Sequence, residues 1–201
     1  DALSDEEVMF VTDIASTGIS AAETANVRIG DSVVVYAQGP IGLSATAGAR
    51  LMGASLVIGV DSNPVRLEMA KKMGADVVID FTQEDPVAKV KELTDGRGAD
   101  VAIEALGMQE TFENCLKSVR PAGVVSSLGV YGDKVTVPLE GFVYGIGDID
   151  IRSTLCPGGK ERMRALMSMV EAGRLDLGQL VTHRFDLDQI EEAYPLFSNQ
   201  E

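Results

Sequence analysis

The chain has 201 residues, 45% hydrophobic and 24% charged, which is long and apolar enough for one substantial globular core and excludes a disordered polymer. Its net charge of −14 opposes nucleic acid and anionic membranes, and no apolar run approaches the ~18–20 residues of a membrane span. Cys115 and Cys156 lie far apart and outside any C-x-x-C pattern, so neither a disulfide framework nor a structural zinc motif is written in them; a reduced, cytoplasmic setting is expected. The acidic start, Asp1-Ala2-Leu3-Ser4-Asp5-Glu6-Glu7, does not read as a signal peptide.

Ser4 with Glu7 three residues later is a capping box, and opens a short helix carrying Val8, Met9 and Val11. After Asp13–Gly18, the small-residue stretch Ile19–Ala25 reads as a second helix, and Val27–Asp31 turns the chain into a long β-branched run. From there strands alternate with helices: strand Val33–Ala37, helix Ile41–Met52, strand Leu56–Val60, helix Pro64–Met73, strand Val77–Ile79, helix Pro86–Leu93 and strand Val101–Glu104. In the helix from Pro64, residues Val65, Leu67, Met69, Ala70 and Met73 form a stripe expected to be buried, closed by Gly74. Thr111–Val119 is the next helix, with Phe112, Cys115, Leu116 and Val119 on one side. Pro121-Ala122-Gly123 is expected to stop it before a fifth strand, Val124–Leu128. Val130–Asp148 has no clear period and reads as an irregular excursion, followed by a sixth strand at Ile149–Leu155 and a helix over Lys160–Ala172 ended by Gly173. Asp186 with Gln189 caps a last helix expected to bury Ile190, Ala193, Tyr194 and Phe197.

Six strands alternating with helices predict an α/β fold: a doubly wound, parallel six-stranded sheet of the Rossmann type, covered on both faces. One domain is expected over 1–201, with lead-in helices over 1–30 and the sheet and its helices over 31–201.

The first strand runs into Ala37-Gln38-Gly39-Pro40-Ile41-Gly42, and Asp61 ends the next strand nineteen residues past Gly42. A tight glycine turn brings backbone N–H groups and a helix N-terminus against a pyrophosphate, and a following acid binds a ribose diol. The pattern is A-x-G-x-x-G, with alanine where the first glycine usually stands, so the turn is expected to need a negative φ at Ala37. Asp61 would accept hydrogen bonds from an adenosine ribose and repel a 2′-phosphate, which favours NAD over NADP; the other role open to it is N-cap of the helix at Asn63-Pro64. Arg66 stands either beside that ribose or in solvent. Ala105 and Gly107 end the fourth strand, and Gly129 and Val130 the fifth, on the ligand side of such a sheet. The lone His183 has no neighbouring Cys or second His and reads as structural.

Ser16-Thr17-Gly18, Gly30–Val35, Gly39-Pro40-Ile41-Gly42, Lys72–Asp76, Gly98–Val101 and Arg120–Gly123 together resemble the cofactor domain of medium-chain, zinc-dependent alcohol dehydrogenases. Cys156-Pro157-Gly158-Gly159 and Leu180-Val181-Thr182-His183 are similar to the secondary-alcohol branch. The resemblance implies hydride transfer between a nicotinamide cofactor and a small alcohol or its carbonyl, with catalytic zinc as Lewis acid. It places Asp13 as one zinc ligand, though a cap of the helix from Ile14 is the alternative. It further places Thr17 and Ile41 at the nicotinamide end, Cys156 at the wall of the substrate pocket, and the molecule in a homo-dimer or homo-tetramer. With no Cys or His before Cys115, three zinc ligands do not come from this chain. The N-terminal zinc-binding catalytic domain is expected to be missing and the end cut after Glu201, leaving a piece that binds cofactor without turnover. A zinc-free quinone or enoyl reductase is the nearest alternative, which Asp13 disfavours and metal analysis of the intact protein decides. A non-catalytic nucleotide-binding module is the other, which activity on alcohols would exclude.

Overall fold

The computed structural model describes residues 3–138 and 148–199. The chain enters through a helical stretch: α1 (Asp5–Phe10), a π-helical turn over Val11–Ala15, and α2 (Ser16–Ala25). The Ser4–Glu7 capping box is formed, and Asn26 at φ 57° ends α2. Where the sequence suggested two separate helices, the backbone stays helical from Asp5 to Ala25.

The alternating part follows as β1 (Ser32–Tyr36), α3 (Pro40–Leu51), β2 (Leu56–Asp61), α4 (Pro64–Lys72), β3 (Val77–Asp80), α5 (Pro86–Leu93), β4 (Ala99–Glu104), α6 (Gln109–Ser118) and β5 (Val119–Ser127). It ends with β6 (Asp150–Ser153), α7 (Lys160–Glu171) and α8 (Ile190–Asn199). The strands form one sheet in the order β3-β2-β1-β4-β5-β6, with every pairing parallel. This is the expected doubly wound fold, and its order reverses between β1 and β4, where such sheets bind ligands.

Each central strand is buried on both faces, which is why Val33-Val34-Val35 reads as a continuous apolar run. Val33, Val35, Val57 and Ile103 pack under the small side chains Ala21, Ala45 and Ala49 of α2 and α3. Val34, Tyr36, Ile58 and Ala102 pack on the other face against Phe112 and Leu116 of α6. Burying each such aliphatic side chain contributes about 1.5–3 kcal/mol. α2 and α3 approach closely because Gly18 lies against the Ile41 carbonyl and Ser44; a Cβ at position 18 would overlap both.

Three expectations are corrected. Pro121-Ala122-Gly123 does not separate α6 from the fifth strand: β5 begins at Val119, pairing with Ala99, and the next pair is Val124 with Val101, so residues 120–123 form a bulge with Ala122 at φ 56°. Of the stripe expected on α4, Leu67, Ala70 and Met73 are buried and Met69 packs against the core, but Val65 is 64% exposed, because in the first turn it borders an open groove instead of the core. The last helix has its Asp186–Gln189 capping box, but Ile190, Tyr194 and Phe197 are exposed and Ala193 only half-buried. Its apolar face borders an open groove instead of packing on the sheet. Of the expected excursion over Val130–Asp148, residues 139–147 lie outside the described part.

Candidate active site: the carboxyl edge of the sheet

At the end of β1 the chain turns at Ala37 with φ 71°, the left-handed region, where the sequence was expected to require a negative angle. An alanine held there costs about 1–2 kcal/mol, so the surroundings fix it. The Ala37 N–H donates to Val60 O at 2.9 Å, and the Ala37 carbonyl lies directly against the Cα of Gly42. A Cβ at Gly42 would overlap that carbonyl, so the fold itself demands glycine at 42. Gly39 is different. It is the N-cap of α3 with φ −68° and ψ 179°, a conformation open to any residue and favoured before Pro40, and a Cβ there would meet no atom within 4 Å. Pro40 occupies the first helical position, and the N–H groups of Ile41 and Gly42 that follow it have no intrahelical partners and no side-chain cap.

Asp61, at the end of β2, is 6% exposed and receives three backbone donors: Gln38 N–H on Oδ2 at 2.7 Å, and Ser62 and Asn63 N–H on Oδ1 at 2.8 and 2.9 Å. It does not cap α4. Asn63 does, its side-chain oxygen accepting from Val65 and Arg66 N–H. Arg66, of the two places open to it, stands 3.9 Å from Asp61 Oδ2 as a partly exposed ion pair. Oδ2 therefore accepts a hydrogen bond from Gln38 and has Arg66 as its ion-pair partner.

The other half of this edge is organised by a residue the sequence reading passed over, Glu104, whose side chain is fully buried at the end of β4. Oε1 accepts from Leu106 N–H at 2.9 Å, Gly107 N–H at 2.8 Å and Thr111 Oγ1 at 2.7 Å; Oε2 accepts from the Tyr131 hydroxyl at 2.9 Å. Burial and this carboxylate push the Tyr131 phenol and the Cys115 thiol above their ordinary pKa values, so both stay protonated. Gly107, at φ 93°, abuts the Val130 backbone, and Gly129 abuts Gly107 and Glu104, which leaves no room for a Cβ at either. Ala105 N–H donates to Tyr36 O at 3.1 Å and so ties this loop to the glycine turn, while Val130 is 85% exposed. A glutamate inside the apolar run Val101–Leu106, followed at once by glycine, was the available signal.

With the turn, the following acid and the switch point in place, comparison with known proteins is decisive. A sequence model of the family described as zinc-binding dehydrogenase matches residues 40–172. The chain belongs to that family. Among zinc-binding dehydrogenases, an alcohol dehydrogenase of Cupriavidus necator is 58% identical over 200 residues, covering 100% of this chain and 55% of its own length. An NADP-dependent isopropanol dehydrogenase of Clostridium beijerinckii is 38% identical over 198 residues, covering 97% and 56%. The solved alcohol dehydrogenase TADH from Thermus sp. ATN1 superposes with a TM-score of 0.89 at 34% identity, covering 98% of this chain and 58% of that one. The chain thus spans about half the length of the curated relatives it matches.

In this dehydrogenase domain the remaining candidates gather around the π-helical turn. Asp13 is exposed and inside that turn rather than at a helix start, and its Oδ1 accepts from Thr17 Oγ1 at 3.0 Å instead of capping a backbone N–H. Cys156 is exposed with its Sγ 3.6 Å from Thr12 O, and Ser16 Oγ donates to Pro157 O at 2.5 Å. Asp13, Thr17 and Cys156 are therefore neighbours, joined to the glycine turn through the Gly18–Ile41 contact. Among the described residues no group of three or more His, Cys, Asp or Glu is placed to hold a metal ion. His183 is exposed, stacked on Phe185, and lines a groove of about 630 Å³ between the start of α4 and the C-terminal segment. Pro40, Asn63 and Arg66 form the inner wall of that groove.

Proposed function

We propose that this chain is the NAD-binding part of an alcohol dehydrogenase that transfers hydride between a small alcohol and its aldehyde or ketone. The observation that carries the reading is the contrast at the turn. Glycine at 42 is needed by the fold, whereas glycine at 39 is required by no steric contact or positive φ and gives the chain only an N-cap, which leaves a ligand as the stronger reason for it. A pyrophosphate fits there, because its oxygens would accept from the free N–H groups at the start of α3 and gain from the helix dipole. Asp61 would take the adenosine ribose on Oδ2, and its negative charge at that point disfavours a 2′-phosphate. Thr17, Ile41, Ala105, Gly107, Gly129 and Val130 would flank the nicotinamide half, the last four through a loop pair that Glu104 holds together.

Zinc would supply Lewis-acid polarisation of the substrate oxygen. The donor set of this chain alone does not fit a zinc centre, since it offers the single exposed carboxylate of Asp13; the other ligands would belong to the intact protein. Cys156 would wall the substrate pocket beside it. Self-association as a dimer or tetramer belongs to the same reading: β6 ends the sheet, with Ile151 and Leu155 exposed beside it. Titration of the intact protein with NADH and NADPH tests the proposal. Tighter binding of NADH supports it; tighter binding of NADPH, the cofactor in the name of the Clostridium relative, overturns the assignment of NAD.

A further inference from the structure

We propose that Gln38 is the positioning residue of the cofactor turn, and that its buried side chain stands in for the glycine that position 37 lacks. The proposal rests on the dinucleotide reading above. Gln38 occupies a variable position of the A-x-G-x-x-G pattern, yet none of its side chain reaches solvent. Its Nε2 donates to Val35 O at 3.0 Å, which closes a ring over Tyr36 and Ala37. Its Oε1 accepts from Thr46 Oγ1 of α3 at 2.9 Å. Its backbone N–H donates to Asp61 Oδ2 at 2.7 Å. One residue thus ties the end of β1 to α3 and, through Asp61, to the end of β2.

Room for this side chain comes from β2. Gly59 pairs with Val35, and a Cβ there would stand 3.1 Å from Gln38 Cδ. The ring closes over the one residue of the turn whose backbone is strained, Ala37 at φ 71°. With glycine at 37 the left-handed angle would need no support. With alanine, release of the ring lets the turn relax, and both the α3 N–H groups and the Asp61 carboxylate leave their places. Gln38 would then set the fraction of molecules whose turn is ready for the dinucleotide, and apparent affinity falls in proportion to that fraction.

The test is a cycle of variants in the intact protein, read by NADH titration and by amide hydrogen exchange over residues 36–42. Gln38→Leu removes both side-chain hydrogen bonds while keeping bulk. It is expected to weaken NADH binding by about tenfold, the effect of leaving buried groups unpaired. It should also speed exchange in the turn. Adding Ala37→Gly should recover most of the affinity and protection, with a much larger gain than the same change gives in the wild type. Thr46→Val, which removes only the far partner, should produce a smaller loss that Ala37→Gly also recovers, and it carries the comparison if Gln38→Leu does not fold. Unchanged affinity in Gln38→Leu, or a double variant as weak as Gln38→Leu, would reduce Gln38 to core packing and overturn the proposal. Failure of the wild type to bind either NADH or NADPH would instead sink the dinucleotide reading, while the exchange data still decide whether Gln38 holds the turn.

Discussion

The two edges of the sheet carry their charges in opposite ways. At the amino edge, Asp100 opens β4 with every neighbour paired: Ser32 N–H and Oγ, Arg97 and Arg120 Nε all reach its carboxylate at 2.6–2.8 Å. At the carboxyl edge, Asp61 and Glu104 are held mainly by backbone N–H and hydroxyl groups, Arg66 stands off at 3.9 Å, and the turn beside them keeps a strained alanine and an open glycine. The first arrangement is satisfied by the chain itself and joins β1, through Ser32, and β5, through Arg120, to β4. The second is complete as structure but keeps open space at Gly39 and α3 N–H groups without intrahelical partners. Saturation marks a structural edge, and a preserved opening marks a binding edge.

The comparison breaks most severely at Gly42. Replacement by alanine pushes a Cβ into the Ala37 carbonyl and should cost 3 kcal/mol or more, about the upper range for overpacking, read as a large fall in thermal midpoint. Glu104→Ala strands the N–H groups of Leu106 and Gly107 and the hydroxyls of Thr111 and Tyr131; about 3 kcal/mol is expected, with Glu104→Gln recovering much of it in denaturant titrations. At the amino edge Asp100→Asn should cost only about 1 kcal/mol, because its arginines remain partly solvated.

Asp100 also gives that edge a pH signature. Burial raises its pKa, but the bonds from Arg97, Arg120 and Ser32 outweigh burial and hold the folded value well below the ordinary carboxylate range. A depressed folded pKa means that the stabilisation is fully present above the unfolded value of about 4 and is lost as pH falls below it. Acid unfolding of Asp100→Asn should accordingly show a shallower dependence on pH below about 4 than the wild type. An unchanged slope would remove Asp100 from the account.

Most of the fold was legible because local signals agreed with one another: β-branched runs for buried strands, Pro64 and Pro86 at helix starts, and glycine at helix ends. Pro121-Ala122-Gly123 misled because proline stops a helix and fits a bulge equally well, and only strand pairing distinguishes the two. The exposed face of α8 misled for another reason: periodicity says which side is apolar, not what lies against it. In the site, Gly42 and Asp61 were readable from spacing. Glu104 left only the trace of a charge in an apolar run, and Gln38 left none, because their bonds to nearby backbone groups exist only once the turns have formed. Ala37 was misjudged outright, since a left-handed alanine is unusual and depends on neighbours that composition does not display.

Gly39→Ala in the intact protein, followed by thermal unfolding and NADH titration, tests the central claim most directly. Its backbone angles suit alanine and the poorer N-cap offsets the gain in chain stiffness, so stability should move by less than about 1 kcal/mol. NADH affinity should fall by at least about tenfold, or 1.4 kcal/mol, because the added methyl group occupies the space kept for the pyrophosphate. Unchanged affinity in a normally stable variant would contradict the account.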